Sequence, residues 1–270
     1  MPALTPRVRA LAVCAVLVAA LFAVAALAPL PFSIAQPGVT ADVLGKYRGR
    51  TVITVSESED GTGDGKGRAA GERAPEGELL ATTIAATAPD TTVRLGDVLQ
   101  GWFATDRAVL PRDSVYPVGG TTKEIEEHNA AQMAQSQDVA VTAALRELGL
   151  SEDDVEVKLR LADVGGPSAG LLFALGIIDK IDDTDLTGGR TIAGTGTIDA
   201  RGRVGPVGGV PLKTQAARRD GATVFLVPRA ECAAARAELP DGLRLIPVTT
   251  LDGALDALAK LRDGGRVPAC

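Results

Sequence analysis

Two short glycine-rich segments carry the side chains best suited to covalent chemistry. The first is Gly165-Gly166-Pro167-Ser168-Ala169-Gly170, where a run of small residues presents a serine just before an apolar stretch, Leu171 to Ile178. Small neighbours let a substrate carbonyl approach the hydroxyl, and glycines leave backbone N–H groups free to point at one place. A helix starting at the serine adds partial positive charge where an oxyanion would develop. The second is Gly208-Gly209-Val210-Pro211-Leu212-Lys213. A lysine among apolar neighbours at a helix start loses part of its preference for the charged form, and a neutral amine can act as a base. Each segment also has a plain reading. Serine is among the commonest helix N-caps, and most lysines are solvated surface charges. The chain has one histidine, His128, in a polar stretch with Asn129 and several Glu and Gln residues, which reads as a solvated helix face. A serine nucleophile here would therefore look to lysine for its base.

The elements needed to hold these residues are legible in the pattern. Asp154–Val164 alternates well enough for a strand with one buried face, and Ser168–Ile181 is helical. Arg190–Ile198 and Arg203–Val207 read as strands around a turn at Asp199-Ala200-Arg201-Gly202. Val210–Arg219 is a helix ended by Gly221. Thr223–Pro228 is a buried strand, Ala230–Glu238 a short helix, Leu243–Val248 a strand and Leu251–Leu261 a closing helix. Upstream, Thr51–Ser56 and Glu78–Ala85 read as strands. The polar stretch between them, Glu57–Gly77, buries too little to order itself and reads as a mobile loop in a hairpin. It contains Gly61-x-x-x-Gly65-Lys66, one residue short of a phosphate loop and followed by Gly67 where Ser or Thr is needed, so no ATP site is visible. Val93–Ala108 is a helix-and-turn element with the single tryptophan, Trp102. Thr121-x-x-Glu124 is a capping-box signature opening a helix to Leu148, stopped by Gly149. Helices interleaved with short strands imply an α+β fold of mixed sheets with packed helices.

Taken together, Gly-Pro-Ser-Ala-Gly, the Thr195-Gly196 pair, Arg-Gly-x-Val at Arg201–Val204, Gly-Gly-x-x-x-Lys and GATVFLVP at Gly221–Pro228 resemble the proteolytic domain of the Lon proteases. The resemblance runs from about Val155 to Leu261. It implies a Lon-like fold and a serine endopeptidase acting on protein or peptide substrates without a cofactor. Ser168 matches the nucleophile, Lys213 the general base and Thr195 the threonine that orients the lysine. Backbone N–H groups at Gly165, Gly166 and Ser168 match the oxyanion hole. A homo-hexamer is also implied by resemblance alone. The family often has an acidic residue where Gly165 stands, so any role for that carboxylate is missing. Pro31 to Tyr47, with Gln36-Pro37-Gly38, looks like the membrane-attached, PDZ-containing branch of Lon-like proteins. Only Leu150–Asp154 separates the long helix from the catalytic strand, too little for a PDZ domain, and no ATPase module is seen. The rival classes are a catalytically silent Lon-like scaffold and a peptidase that processes only itself or one partner.

Composition narrows the partners and the compartment. A net charge of −6 and 3% aromatics argue against a nucleic-acid surface. Cys14 lies in the N-terminal apolar run, and Cys232 and Cys270 are too few for a disulfide framework. With no CxxC or His/Cys cluster, no metal site is expected. Ala10–Ala28 is uncharged and at about 1.5 Å per residue covers roughly the hydrocarbon thickness of a bilayer. Arg7 and Arg9 precede it, which favours a cytoplasmic N-terminus, a single pass and an extracytoplasmic body. A cleaved signal peptide is the alternative, given triplets such as Ala23-Val24-Ala25. The expected organisation is a stub and transmembrane anchor over 1–36 and an N-terminal extracytoplasmic part over 37–149, with the loop at 57–77. The Lon-like proteolytic domain follows over 150–262, and a tail over 263–270.

Overall fold

The computed structural model describes residues 5–57, 76–116, 121–161 and 166–270. The chain divides into two compact units, residues 1–36 with 86–122, and residues 37–85 with 123–270.

The first unit begins with α1 (Pro6–Leu27), 22 residues with none buried and a mean hydropathy of 2.9 in its most apolar window. Proline in its first turn suits a helix start, where an N–H would lack a partner anyway. The start of β1 (Phe32–Asp42) pairs antiparallel with β6 (Ala108–Pro111), from Phe32 opposite Pro111 to Ala35 opposite Ala108. Between them in sequence lies α2 (Leu95–Phe103), whose Gly101 faces β6 so closely that a Cβ there would sit 2.8 Å from Val109 Cγ2. The short α3 (Arg112–Val115) follows β6 directly.

In the second unit, β5 (Glu78–Ala86), β8 (Thr191–Gly194), β11 (Val224–Pro228) and β12 (Arg244–Val248) form a run of parallel pairs, with the remainder of β1 beyond β5. Every residue of β11 is buried, which explains why its sequence is continuously apolar rather than alternating. Val224 and Leu226 face one core, packed with α5 (Gly170–Asp182) and α8 (Leu251–Arg262). Phe225 and Val227 face a second, with α6 (Val210–Arg219) and α7 (Cys232–Ala237). The small antiparallel pairs β2 (Lys46–Tyr47) with β3 (Arg50–Thr51), β4 (Ile53–Glu57) with β7 (Val155–Leu159), and β9 (Thr197–Ile198) with β10 (Val204–Gly205) complete a mixed α+β fold. The long helix α4 (Thr122–Leu148) ends as expected at Gly149. There Leu150 N–H bonds to the Leu145 carbonyl and Gly149 N–H to that of Arg146, the paired bonds of a Schellman cap.

Two expectations are corrected. Residues 51–56 and 78–85 do not form a hairpin. β4 pairs with β7, about a hundred residues on, while β5 joins the parallel sheet beside β8. The reason lies in β5 itself: Leu79 through Thr82 are consecutively buried, so the strand has two covered faces and belongs inside a sheet. Most of the polar connection, residues 58–75, lies outside the described residues, as does the phosphate-loop-like Gly61–Lys66. The second correction is that Cys232 and Cys270 are joined by a disulfide, with Cα atoms 5.3 Å apart. It ties the C-terminal tail to α7, two segments 38 residues apart in sequence whose proximity no local pattern could reveal.

Candidate active site

Ser168 lies in a single 3₁₀ turn, Pro167–Ala169, that leads straight into α5. Nine consecutive residues of that helix, Gly170 to Ile178, are buried, so the turn is mounted on a rigid core element. The Ser168 carbonyl accepts two bonds from the β8–β9 connection, one from Gly196 N–H at 2.9 Å and one from Thr195 Oγ1 at 3.1 Å. Leu171 N–H returns a bond to the Gly196 carbonyl at 3.1 Å. On another side, Ser136 of α4 donates from its hydroxyl to the Pro167 carbonyl at 3.1 Å. The turn is therefore clamped from two elements, while Ser168 itself stays half-buried and its Oγ makes no hydrogen bond among the described residues. Of the three residues whose N–H groups the sequence points to, Ser168 is in the turn, Gly166 immediately precedes it and Gly165 lies outside the described residues.

Lys213 sits in the first turn of α6. That helix begins at Gly209, whose φ of +70° is a left-handed conformation suited to glycine. A Cβ at this position would also meet Ile84 Cγ2 at 2.8 Å. The helix start is thus set against β5, and Lys213 N–H bonds to the Gly209 carbonyl at 3.1 Å. The lysine side chain is 3% exposed, and its Nζ donates to Thr195 Oγ1 at 3.0 Å. Burial disfavours the ammonium form and lowers the lysine from its ordinary 10.5 to about 8.

The direction of these bonds has a chemical consequence. The Thr195 hydroxyl proton is committed to the Ser168 carbonyl, so Thr195 can only accept from Lys213. A neutral amine so held keeps its lone pair free for another proton. The structure thus brings Lys213, Thr195 and the Ser168 turn into one connected network. His128 is left out, exposed on α4 with its ring nitrogen 3.0 Å from Gln132 Nε2. Among the described residues no cluster of His, Cys, Asp or Glu could hold a metal. Ser136 was not legible as a site residue, because a serine within a long polar helix gives no sign of which segment it will meet.

Residues 152–260 match the family model of the Lon protease (S16) C-terminal proteolytic domain. Lon protease 2 of Bacillus subtilis is 31% identical over 144 residues, which cover 52% of this chain and 25% of that protein. The Lon protease of Clostridioides difficile is 44% identical over 79 residues, 29% of this chain and 10% of its own length. The archaeal Lon protease of Halobacterium salinarum is 29% identical over 133 residues, 46% of this chain and 19% of its own. The chain spans about a quarter or less of the length of these relatives.

Proposed function

We propose that the chain is a membrane-anchored serine endopeptidase of the Lon type, with Ser168 as nucleophile and Lys213 as general base. The observation that carries this reading is the buried Lys213 amine bonded to Thr195 Oγ1, which in turn bonds to the carbonyl of Ser168. Neutral Lys213 takes the proton of Ser168 Oγ as the oxygen attacks a peptide carbonyl. Backbone N–H groups at Gly165, Gly166 and Ser168 receive the oxyanion. The tetrahedral intermediate collapses to an ester on Ser168, and the leaving amine takes the proton back from Lys213. Water, deprotonated by the same amine, then hydrolyses the ester. No cofactor enters this scheme. By resemblance the working form is a homo-hexamer, and its protein substrates are delivered unfolded or by another molecule.

Turnover of an unfolded protein substrate should rise with pH through about 8, as Lys213 loses its proton. A profile flat from pH 6 to 10 would remove Lys213 as the base.

The anchor reading assigns α1 to the bilayer, with Arg7 and Arg9 on the cytoplasmic side and the Lon-type domain outside. The Cys232–Cys270 disulfide supports this compartment, since such bonds persist where the environment is oxidising. Protease added to intact cells should then remove the domain and leave the N-terminal peptide. Protection of the domain until lysis would reverse the orientation.

A further inference from the structure

We propose that α2 is a membrane-contacting helix that seats the protein on the lipid surface beside its anchor, through Leu95, Leu99, Trp102 and Phe103. The inference rests on α1 being the membrane anchor and adds a second, interfacial contact to it.

Outside α1, these four are among the six large apolar residues left in solvent among the described residues: Leu95 at 37%, Leu99 at 42%, Trp102 at 66% and Phe103 at 85%. They recur at i, i+4, i+7 and i+8, so they share one face of the helix. The helix cannot turn that face inward. Its other apolar side is already used: Val98 and Gly101 are buried, and Gly101 is in such close contact with Val109 of β6 that rotation would force a clash. Asp97 and Gln100 occupy the remaining sector, and Asp97 caps the helix by accepting from Arg94 N–H at 2.9 Å. The connecting residues 87–94 that lead into the helix could hold it in many places, yet here a backbone bridge fixes it. Leu30, three residues beyond α1, pairs with Val93, two residues before α2. The start of α2 is therefore held at the end of the apolar helix, where a spanning segment leaves the hydrocarbon.

The chemistry of the face fits that location. Tryptophan and other aromatics concentrate at the boundary between hydrocarbon and headgroups. A short helix with one apolar face and one polar face lies in that plane with its apolar side immersed. A lipid surface also explains a patch that a water-facing helix would have no reason to keep apolar.

Trp102 is the only tryptophan in the chain, so all indole fluorescence reports on this face. The test uses the full chain reconstituted into phosphatidylethanolamine/phosphatidylglycerol vesicles, with and without acyl chains brominated near the glycerol end. Interfacial seating predicts that bromination quenches the emission at least about twofold, while aqueous iodide quenches little. Leu99→Glu/Phe103→Glu should abolish bromine quenching and restore iodide quenching, with the protein still floating with vesicles. Strong iodide quenching of the parent, or protection from both quenchers as a protein partner or second copy would give, overturns the proposal while co-flotation leaves the anchor standing. Failure of the chain to co-float overturns both.

Discussion

Replacing Lys213 by methionine will raise the stability of the protein at neutral pH and abolish peptide hydrolysis. The lysine is 3% exposed, and its pKa is lowered from 10.5 to about 8 by burial. Below pH 8 both folded and unfolded chains hold the proton, and the folded one must bury the charge. The separation of the two values corresponds to a cost of about 3 kcal/mol. Between about 8 and 10.5 the unfolded chain binds more protons than the folded one, so stability of the parent rises with pH across that window. Methionine has similar length and no charge to desolvate, and such replacements of buried ions are often stabilising. Denaturant midpoints should therefore favour Lys213→Met by up to about 3 kcal/mol at pH 7, with the advantage shrinking toward pH 10. Turnover should fall at least about a thousandfold, because methionine cannot take the serine proton. Destabilisation at pH 7 would contradict the first half, and retained turnover the second.

Gly209→Val is the second substitution with a large expected effect. Valine resists the left-handed φ of +70°, at a cost of about 1–2 kcal/mol. Its Cβ would also press on Ile84 at 2.8 Å, where overpacking typically costs about 1–3 kcal/mol. The strain is relieved only by moving the start of α6, and Lys213 is the side chain that depends on it. Urea melts should register a loss of about 2–5 kcal/mol, and folded protein should lose about a hundredfold or more in kcat, since small misplacements of a base are costly. Gly209→Val with parent-like kcat would show that the amine is not positioned by this helix start.

The parts of the site that were legible in the sequence were the local ones. Val210–Arg219, the β11 strand and α8 appear within a residue or so of where periodicity and glycine stops put them. Ser168, Thr195 and Lys213 could be singled out by motif, and the structure joins Lys213 to Thr195 and Thr195 to the Ser168 turn. What could not be read were the partners at long range. β4 and β5 are close in sequence and alike in composition, yet one is claimed by β7 and the other by β8, because strand pairing is decided by which faces the rest of the fold can cover. Ser136, the disulfide of Cys232 with Cys270 and the closed-off side of α2 belong to the same class. Each needs a contact between segments whose own sequences are unremarkable.

The central claim is that Ser168 is made nucleophilic by Lys213. The most direct measurement is intact-mass labelling with a serine-reactive electrophile, with the adduct mapped by peptide and its rate followed between pH 6 and 10. A single adduct on Ser168 is expected, forming faster as pH passes about 8. It should be absent in Ser168→Ala. Lys213→Arg, which stays charged throughout this range, should show no comparable labelling at any pH tested. Labelling of Lys213→Arg at the parental rate, or an adduct that forms elsewhere and persists in Ser168→Ala, would contradict the account.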